Sequence, residues 1–180
     1  RMLRYQEFDV AEMSLSSYTV SLQREKAPFI AIPIFPSRFF RHSSIFVSTA
    51  SGIREPKDLI GKRIGTPEFQ MTAPVWIRGI LQDEYGVAPS SVEYWTGGEE
   101  EPGREEKLKL DLPATIKLRP IGPTQTLSLM LAAGEIDALH TARAPSTFQT
   151  RPADVKRLFE NYVDVERAYY RKTRIFPIMH

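Results

Sequence analysis

Cysteine is absent from the 180 residues, which excludes disulfides, a thiolate nucleophile and any cysteine-ligated metal. Histidine is nearly as scarce. His42, His140 and His180 are scattered along the chain, with neither an HExxH array nor a diagnostic pair of carboxylates, so the only metal set on offer is one that folding would assemble from His42, Glu12 and His140. No metal is expected. The chain has no GxGxxG and no phosphate loop, and no serine stands in a recognisable relation to a histidine and a carboxylate, so a nucleotide cofactor and a covalent serine mechanism both lack support. No cofactor of any kind is expected. No apolar run is long enough to span a membrane. Charge of neither sign dominates: 24 Lys and Arg stand against 22 Asp and Glu, a net of +2, and without a long basic tract nucleic acid is not an expected partner. A cytoplasmic location is the expectation that fits a cysteine-free chain, although the same composition suits a periplasmic protein. Homo-oligomerisation stays open.

What the chain does have is 42% hydrophobic residues, enough to bury a core as one domain or two small lobes. A paired pattern organises it. Residues 2–14 read MLRYQEFDVAEMS, and residues 130–142 read MLAAGEIDALHTA, with Met2/Met130, Leu3/Leu131, Glu7/Glu135 and Asp9/Asp137 in register. Each copy reads as a helix end, a turn and a short buried strand with polar residues at its exit. Ligands of open α/β units sit outside the carboxyl ends of the strands, which makes Glu12, Met13 and Ser14 in one copy, and His140, Thr141 and Arg143 in the other, natural cleft residues.

Helical and extended patterns alternate between and beyond these copies. Strands are expected over residues 9–12, 29–35, 43–48, 63–66, 92–96, 116–120 and 136–141. Helices are expected over 16–25, 155–159 and 163–170, and around Leu127, Met130 and Leu131 up to Gly134. A further helix has Ala73, Trp76, Ile77, Ile80 and Leu81 as its apolar stripe and Gly86 as its stop. Trp76 reads as core, and Arg78, off the stripe, as solvent-facing or interlobe. Residues 99–113, rich in charge and carrying Pro102 and Gly103, read as a solvated loop or hairpin. The fold class that follows is α/β with mainly parallel or mixed sheets. Chain crossings are expected near 48–51 and 175–180. The first residues read as the last turns of a helix and the final ones as an apolar extended run without a partner, so the chain is expected to be a fragment.

Three polar groups carry candidate chemistry. Ser37, Arg38, Arg41, His42, Ser43 and Ser44 lie between two apolar segments; guanidinium grips a carboxylate through parallel hydrogen bonds, and an imidazole with a pKa of about 6.5 exchanges protons near neutrality. The alternative is a solvated basic turn with a structural histidine. Thr66, Glu68, Gln70 and Thr72 precede the Ala73 helix, where unpaired amides favour an anion; Glu68 would repel a diacid unless protonated or bonded to hydroxyls. His140, Thr141, Arg143 and Ser146 follow the second strand of the pair, with Arg143 placed as a clamp or, alternatively, as an ordinary interlobe ion pair. Ser14, Ser16 and Ser17 are either an opposing hydroxyl wall or helix caps.

Several stretches, FDVAEMSLSSY, FPSRFFRHSSIFV, GKRIGTPEFQMTAPVWIRGILQDEYGV, LAAGEIDALHTARAPSTF and RIFPIMH, together with residues 96–107, resemble the 4,5-dihydroxyphthalate decarboxylase family, which has the type 2 periplasmic-binding-protein-like fold. The resemblance covers nearly the whole chain. It implies two α/β lobes about a cleft, here lacking the N-terminal strands and the C-terminal return: residues 1–49 as a partial first lobe, 50–174 as a second lobe, and 175–180 crossing back. It also implies cofactor-independent loss of carbon dioxide from a dihydroxylated aromatic diacid to give a dihydroxybenzoate. In that reading His42, Glu68 and Glu12 are the catalytic candidates. Ser14, Ser16, Arg38, Arg41, Ser43, Gln70, Thr72, His140 and Arg143 are the residues expected to bind the small aromatic dicarboxylate. Because the scaffold mostly binds solutes without transforming them, the alternative is a non-catalytic binding protein for an organic or aromatic anion.

Overall fold

The computed structural model describes residues 2–23, 25–108 and 110–180, without the side chains of Leu3 and Arg4. Its centre is a six-stranded mixed sheet of order β4-β3-β2-β5-β1-β6. The strands are β1 (Ile45–Ser48), β2 (Arg63–Thr66), β3 (Glu93–Thr96), β4 (Lys117–Pro120), β5 (Ala138–His140) and β6 (Val155–Arg157). β2, β3, β4 and β5 run parallel, whereas β1 is antiparallel to both β5 and β6. Every residue of β1 is buried, as expected of a strand covered on both faces. Residues on both sides of position 49 therefore share one sheet.

The pleat sorts side chains into two cores. Ile45, Val47, Ile64, Tyr94 and Ala138 face one way and pack with Ile77 and Leu81 of helix α3 (Thr72–Tyr85), while Val165 of α6 (Tyr162–Thr173) joins the same cluster. Phe46 and Leu139 face the other way, onto Leu127, Met130 and Leu131 of α4 (Leu127–Ala132), with Phe148 of α5 (Ser146–Thr150) at the margin. A three-layer α/β/α sandwich results. Close packing of α4 depends on Gly65: a Cβ there would come 2.6 Å from Ile136 Cδ1 and 3.0 Å from Leu127 Cδ2. α3 ends where its sequence indicates, with Gly86 left-handed at φ 71°.

Three sequence expectations are corrected. Residues 9–12 and 29–35 form no strand. They are largely exposed, Ile30 at 93% and Val10 at 76%, and Pro28, Pro33 and Pro36 remove ladder donors around the second segment. Residues 155–157 form the edge strand β6 rather than a helix, paired with β1. The apolar spacing of Val155, Leu158 and Phe159 imitates a helical stripe, but the short strand buries Val155 against α4 and leaves Phe159 to the opposite core.

Ahead of the sheet lie α1 (Met2–Tyr5) and α2 (Leu15–Ser21). The chain end returns to α2 and to the segment 37–39: Met179 N donates to Ser37 O at 2.8 Å, Phe39 N to Pro177 O at 3.0 Å, and Leu15 N to Met179 O at 2.9 Å. Trp76 is only half-buried, its indole donating to Ile178 O at 2.9 Å, so it joins α3 to this return and is not pure core. No helix among the described residues is long and apolar enough to cross a membrane.

Candidate functional site

The parallel strands β2, β3 and β5 deliver polar segments to one edge of the sheet: residues 66–72, 97–99 and 141–143. Because β1 runs the other way, the residues entering it, 41–44, reach the same edge. A crevice at carboxyl strand ends is where open α/β sheets bind ligands, and here two polar groups occupy it.

The first group is centred on Glu68, whose side chain is 1% exposed. Its Oε1 accepts from Arg104 Nε at 2.8 Å and lies 3.3 Å from Lys107 Nζ, and its Oε2 accepts from Gln70 Nε2 at 3.0 Å. Gln70 Oε1 accepts in turn from Ser17 Oγ at 3.2 Å. The start of α3 meets the start of α2 here: Thr72 Oγ1 lies 2.6 Å from Ser14 Oγ and 2.9 Å from Ser16 Oγ, and accepts from Ser16 N at 3.1 Å. The serines thus make a hydroxyl wall with Thr72, and Ser14 makes no side-chain cap bond to α2. Beneath them Arg78 is buried, which rules out the solvent-facing one of its two expected positions. Its guanidinium stacks 3.8 Å from the Phe69 ring centroid and donates to Phe69 O at 2.6 Å, while burial lowers its pKa to about 10. The loop 99–107, expected to be solvated, is tied down by Arg104, by Lys107 and by Glu106, which accepts from Phe69 N.

The second group lacks such mutual neutralisation. Arg41 is 7% exposed. Its Nη1 donates to Ala142 O at 3.1 Å, its Nε and Nη2 face Met179 Sδ at 3.1 and 2.7 Å, and it stacks 4.8 Å from the Phe39 centroid. All these acceptors are neutral and the sulfur is a weak one. No carboxylate forms an ion pair with Arg41 among the described residues; burial lowers its pKa to about 10, and the nearby Glu166 carboxylate, not in direct contact, opposes that fall only in part. One residue along from Ala142, Thr141 Oγ1 donates to Glu99 Oε2. Burial raises the Glu99 pKa above the ordinary carboxylate value; Thr141, Arg104 and Arg143 oppose that rise and Glu100 adds to it. Arg143 is exposed at the same strand exit.

The remaining expected site residues are enclosed, engaged by other protein groups or exposed away from the crevice. His42 is 1% exposed with neither nitrogen hydrogen-bonded. Its ring packs edge-on against Tyr85, Phe159 and Tyr169, and burial pulls its pKa down to about 4. That aromatic enclosure does not present a proton to the crevice. His140 is fully covered, and burial, aided by Arg78, lowers its pKa to about 3; strand alternation sends it inward beneath α3. Ser43 is structural, its N donating to Glu166 and its O accepting from Arg157. Arg38 is exposed over Phe35 at 5.3 Å. Glu12, 58% exposed, pairs with His180 at the chain's return, and Glu68 is engaged by two cations. Among the described residues no three His, Asp or Glu side chains gather to hold a metal.

A separate groove of about 670 Å³ runs along the N-terminal segment among Phe8, Val10, Tyr18, Ile32 and Phe35. Among the described residues its lining includes no arginine or lysine, whereas the strand-end crevice carries Arg41 and Arg143. Sequence reading passed over Glu99, Arg104 and the inward turn of Arg78. Gly97-Gly98 was the available signal for Glu99: a Cβ on Gly98 would collide with the Glu101 carbonyl, so the turn that carries Glu99 over the β3 end requires glycine there.

Fold and crevice together define an α/β protein with a mixed sheet and an anion-suited polar edge. No family model matches the chain. It is 46% identical over 180 residues, all of its length, to the 4,5-dihydroxyphthalate decarboxylase of Comamonas testosteroni, and 44% identical over 171 residues to that of Pseudomonas putida. The chain is a close homologue of the 4,5-dihydroxyphthalate decarboxylases. It spans 54% of the first relative's length and 66% of the second's.

Proposed function

We propose that the full-length protein decarboxylates 4,5-dihydroxyphthalate, or a close dihydroxylated aromatic diacid, to a dihydroxybenzoate and carbon dioxide. The observation that carries this reading is Arg41, a buried guanidinium bonded only to neutral acceptors, at the sheet edge of a chain 46% identical to such an enzyme. A substrate carboxylate supplies the directly bonded anion that Arg41 lacks. Arg143 at the adjacent strand exit attracts the second carboxylate, and the hydroxyls of Ser14, Ser16 and Thr72 suit the phenolic side of the ring. The finer architecture we propose is the two-lobed type 2 periplasmic-binding-protein-like form. Residues 8–36 then belong to a first lobe whose exposed apolar side chains, Ile30, Ile34 and Phe8 among them, are covered in the complete protein.

The chemistry needs no bound electron sink in principle. A hydroxyl para to the departing carboxylate feeds electron density into the ring once deprotonated. Protonation of the carboxylate-bearing carbon gives a dienone-like intermediate, and loss of carbon dioxide restores aromaticity. Lobe closure that excludes water strengthens the charge interactions. The test is incubation of purified full-length protein with 4,5-dihydroxyphthalate: stoichiometric carbon dioxide and dihydroxybenzoate are expected, whereas tight binding without product identifies a solute receptor instead.

A further inference from the structure

We infer that Glu99 is the acid that protonates the carboxylate-bearing ring carbon, an assignment that rests on the decarboxylase reading above. Three placements support it. Glu99 leaves the carboxyl end of β3 through the Gly97-Gly98 turn, and its backbone is fixed by Ser128 N donating to Glu99 O at 3.0 Å and Leu127 N donating to Gly98 O at 2.9 Å. Its side chain reaches past the end of β2 to the exit of β5, where Thr141 Oγ1 donates to Oε2. Oε1 accepts no hydrogen bond among the described residues, and the side chain is half-buried, so one oxygen is held and the other is free to carry a proton towards a ligand. The next residue, Ala142, anchors Arg41 through its carbonyl at 3.1 Å. A ring whose carboxylate replaces the neutral partners of Arg41 is therefore delivered beside Glu99.

The other acids and bases near the crevice are committed elsewhere. Glu68 accepts from Arg104 and Gln70 and pairs with Lys107. Glu106 lies under Phe69, whose N–H it accepts. Glu166 accepts from Ser43 N, and His42 is enclosed by aromatic rings. The charged groups facing Glu99 are Glu100 from its own loop, Arg104 further along that loop, and Arg143 from the β5 exit. Burial is the largest influence on its titration and favours the protonated acid.

Atoms balance as follows. The phenol para to the reacting carbon gives its proton to solvent, and Glu99 transfers its own proton to that carbon. The carbon–carboxylate bond then breaks, its electron pair returns to the ring, carbon dioxide leaves, and the phenolic oxygen regains a proton. Glu99, left as carboxylate, is reprotonated from solvent.

The experiment compares wild type with Glu99→Gln in the full-length protein, measuring kcat for 4,5-dihydroxyphthalate and, separately, diacid affinity by tryptophan fluorescence. Gln keeps an acceptor for Thr141, so a merely structural role would survive the exchange. We expect kcat to fall at least about a hundredfold, the usual scale of a lost general acid, with affinity changed less than about threefold. A Glu99→Gln kcat within about threefold of wild type overturns the assignment. Should Glu99→Gln fail to fold, the wild-type kcat profile decides: activity falling on the alkaline side of a carboxylic-acid titration is expected, and a profile flat from about pH 5 to 8 overturns the proposal. A wild type that binds the diacid and releases no carbon dioxide removes the decarboxylase reading and this one with it. Normal wild-type turnover with an active Glu99→Gln removes only the role of Glu99.

Discussion

Two groups of charged side chains share the edge of one sheet, and they differ in how their charges are met. Around Glu68 the account is closed: a carboxylate 1% exposed faces Arg104, Lys107 and the Gln70 amide. Around Arg41 it is open: a guanidinium of similar burial faces a carbonyl and a thioether, with a half-buried acid tethered one residue away. Burying a charge without an opposite partner is costly, and a protein that tolerates it at a strand-end crevice has a site whose partner arrives from solution. The closed group is scaffold that fastens the loop 99–107, and the open group is where we propose that a diacid binds.

The largest expected effect concerns the scaffold side. His42 and His140 are held neutral by burial, with pKa values lowered to about 4 and about 3 from an unfolded value of about 6.5. Between those values the unfolded chain binds more protons than the folded one. The stability they contribute is thus complete above about pH 6.5 and falls as pH drops towards 4, by up to about 1.4 kcal/mol per pH unit for each histidine. Urea titrations across this range should show that slope, and His42→Phe should reduce it while leaving diacid affinity unchanged. Loss of affinity in His42→Phe would move this histidine to the ligand side of the comparison.

A smaller effect is expected from the double variant Arg104→Ala, Lys107→Ala, which strands the Glu68 carboxylate. Removing a partner from a fully buried pair costs about 3–5 kcal/mol; Arg104 is 38% exposed, and screening brings the expected loss to about 2 kcal/mol, read from urea denaturation. Arg41→Gln should lie near zero by the same measurement, within about 0.5 kcal/mol of wild type, because the exchange breaks no ion pair and removal of a buried charge offsets the lost longer-range attraction to Glu166. Equal destabilisation by both would erase the distinction between closed and open groups.

Much of this arrangement can be read in the chain itself where local rules and burial agree. β2 falls on residues 63–66 as its pattern indicates, and α3 runs from Thr72 to Tyr85 and stops at Gly86 because its apolar stripe and left-handed stop point to the same element. Residues 9–12 and 29–35 carry strand-like apolar patterns, but a strand requires a partner, and none pairs with them among the described residues. The copy at 130–142 did become helix, turn and strand because β2 and β1 flank it; the copy at 2–14 has no such flanks. Of the expected ligands, Gln70, Thr72, Ser14 and Ser16 come together in the first group and Arg41 stands in the second, at the same end of the sheet, since each adjoins an element legible in the sequence. His42 parts from Arg41 because it opens a short 3-10 turn over His42–Ser44, which carries its ring into the aromatic enclosure of Tyr85, Phe159 and Tyr169. Glu99 and Arg104 escaped notice because a charge-rich loop has no period from which to infer its fold, and only the strand ends beneath show what it covers.

The most direct test of the open group is the affinity of the full-length protein for 4,5-dihydroxyphthalate, measured by calorimetry for Arg41→Gln and Arg104→Gln against wild type. A charged hydrogen bond is worth about 1.5–3 kcal/mol, and each 1.4 kcal/mol is about tenfold in affinity. Arg41→Gln should therefore bind at least about tenfold more weakly while Arg104→Gln stays within about threefold. Unchanged binding by Arg41→Gln, or a greater loss in Arg104→Gln, would contradict the assignment of the ligand to the unmatched arginine.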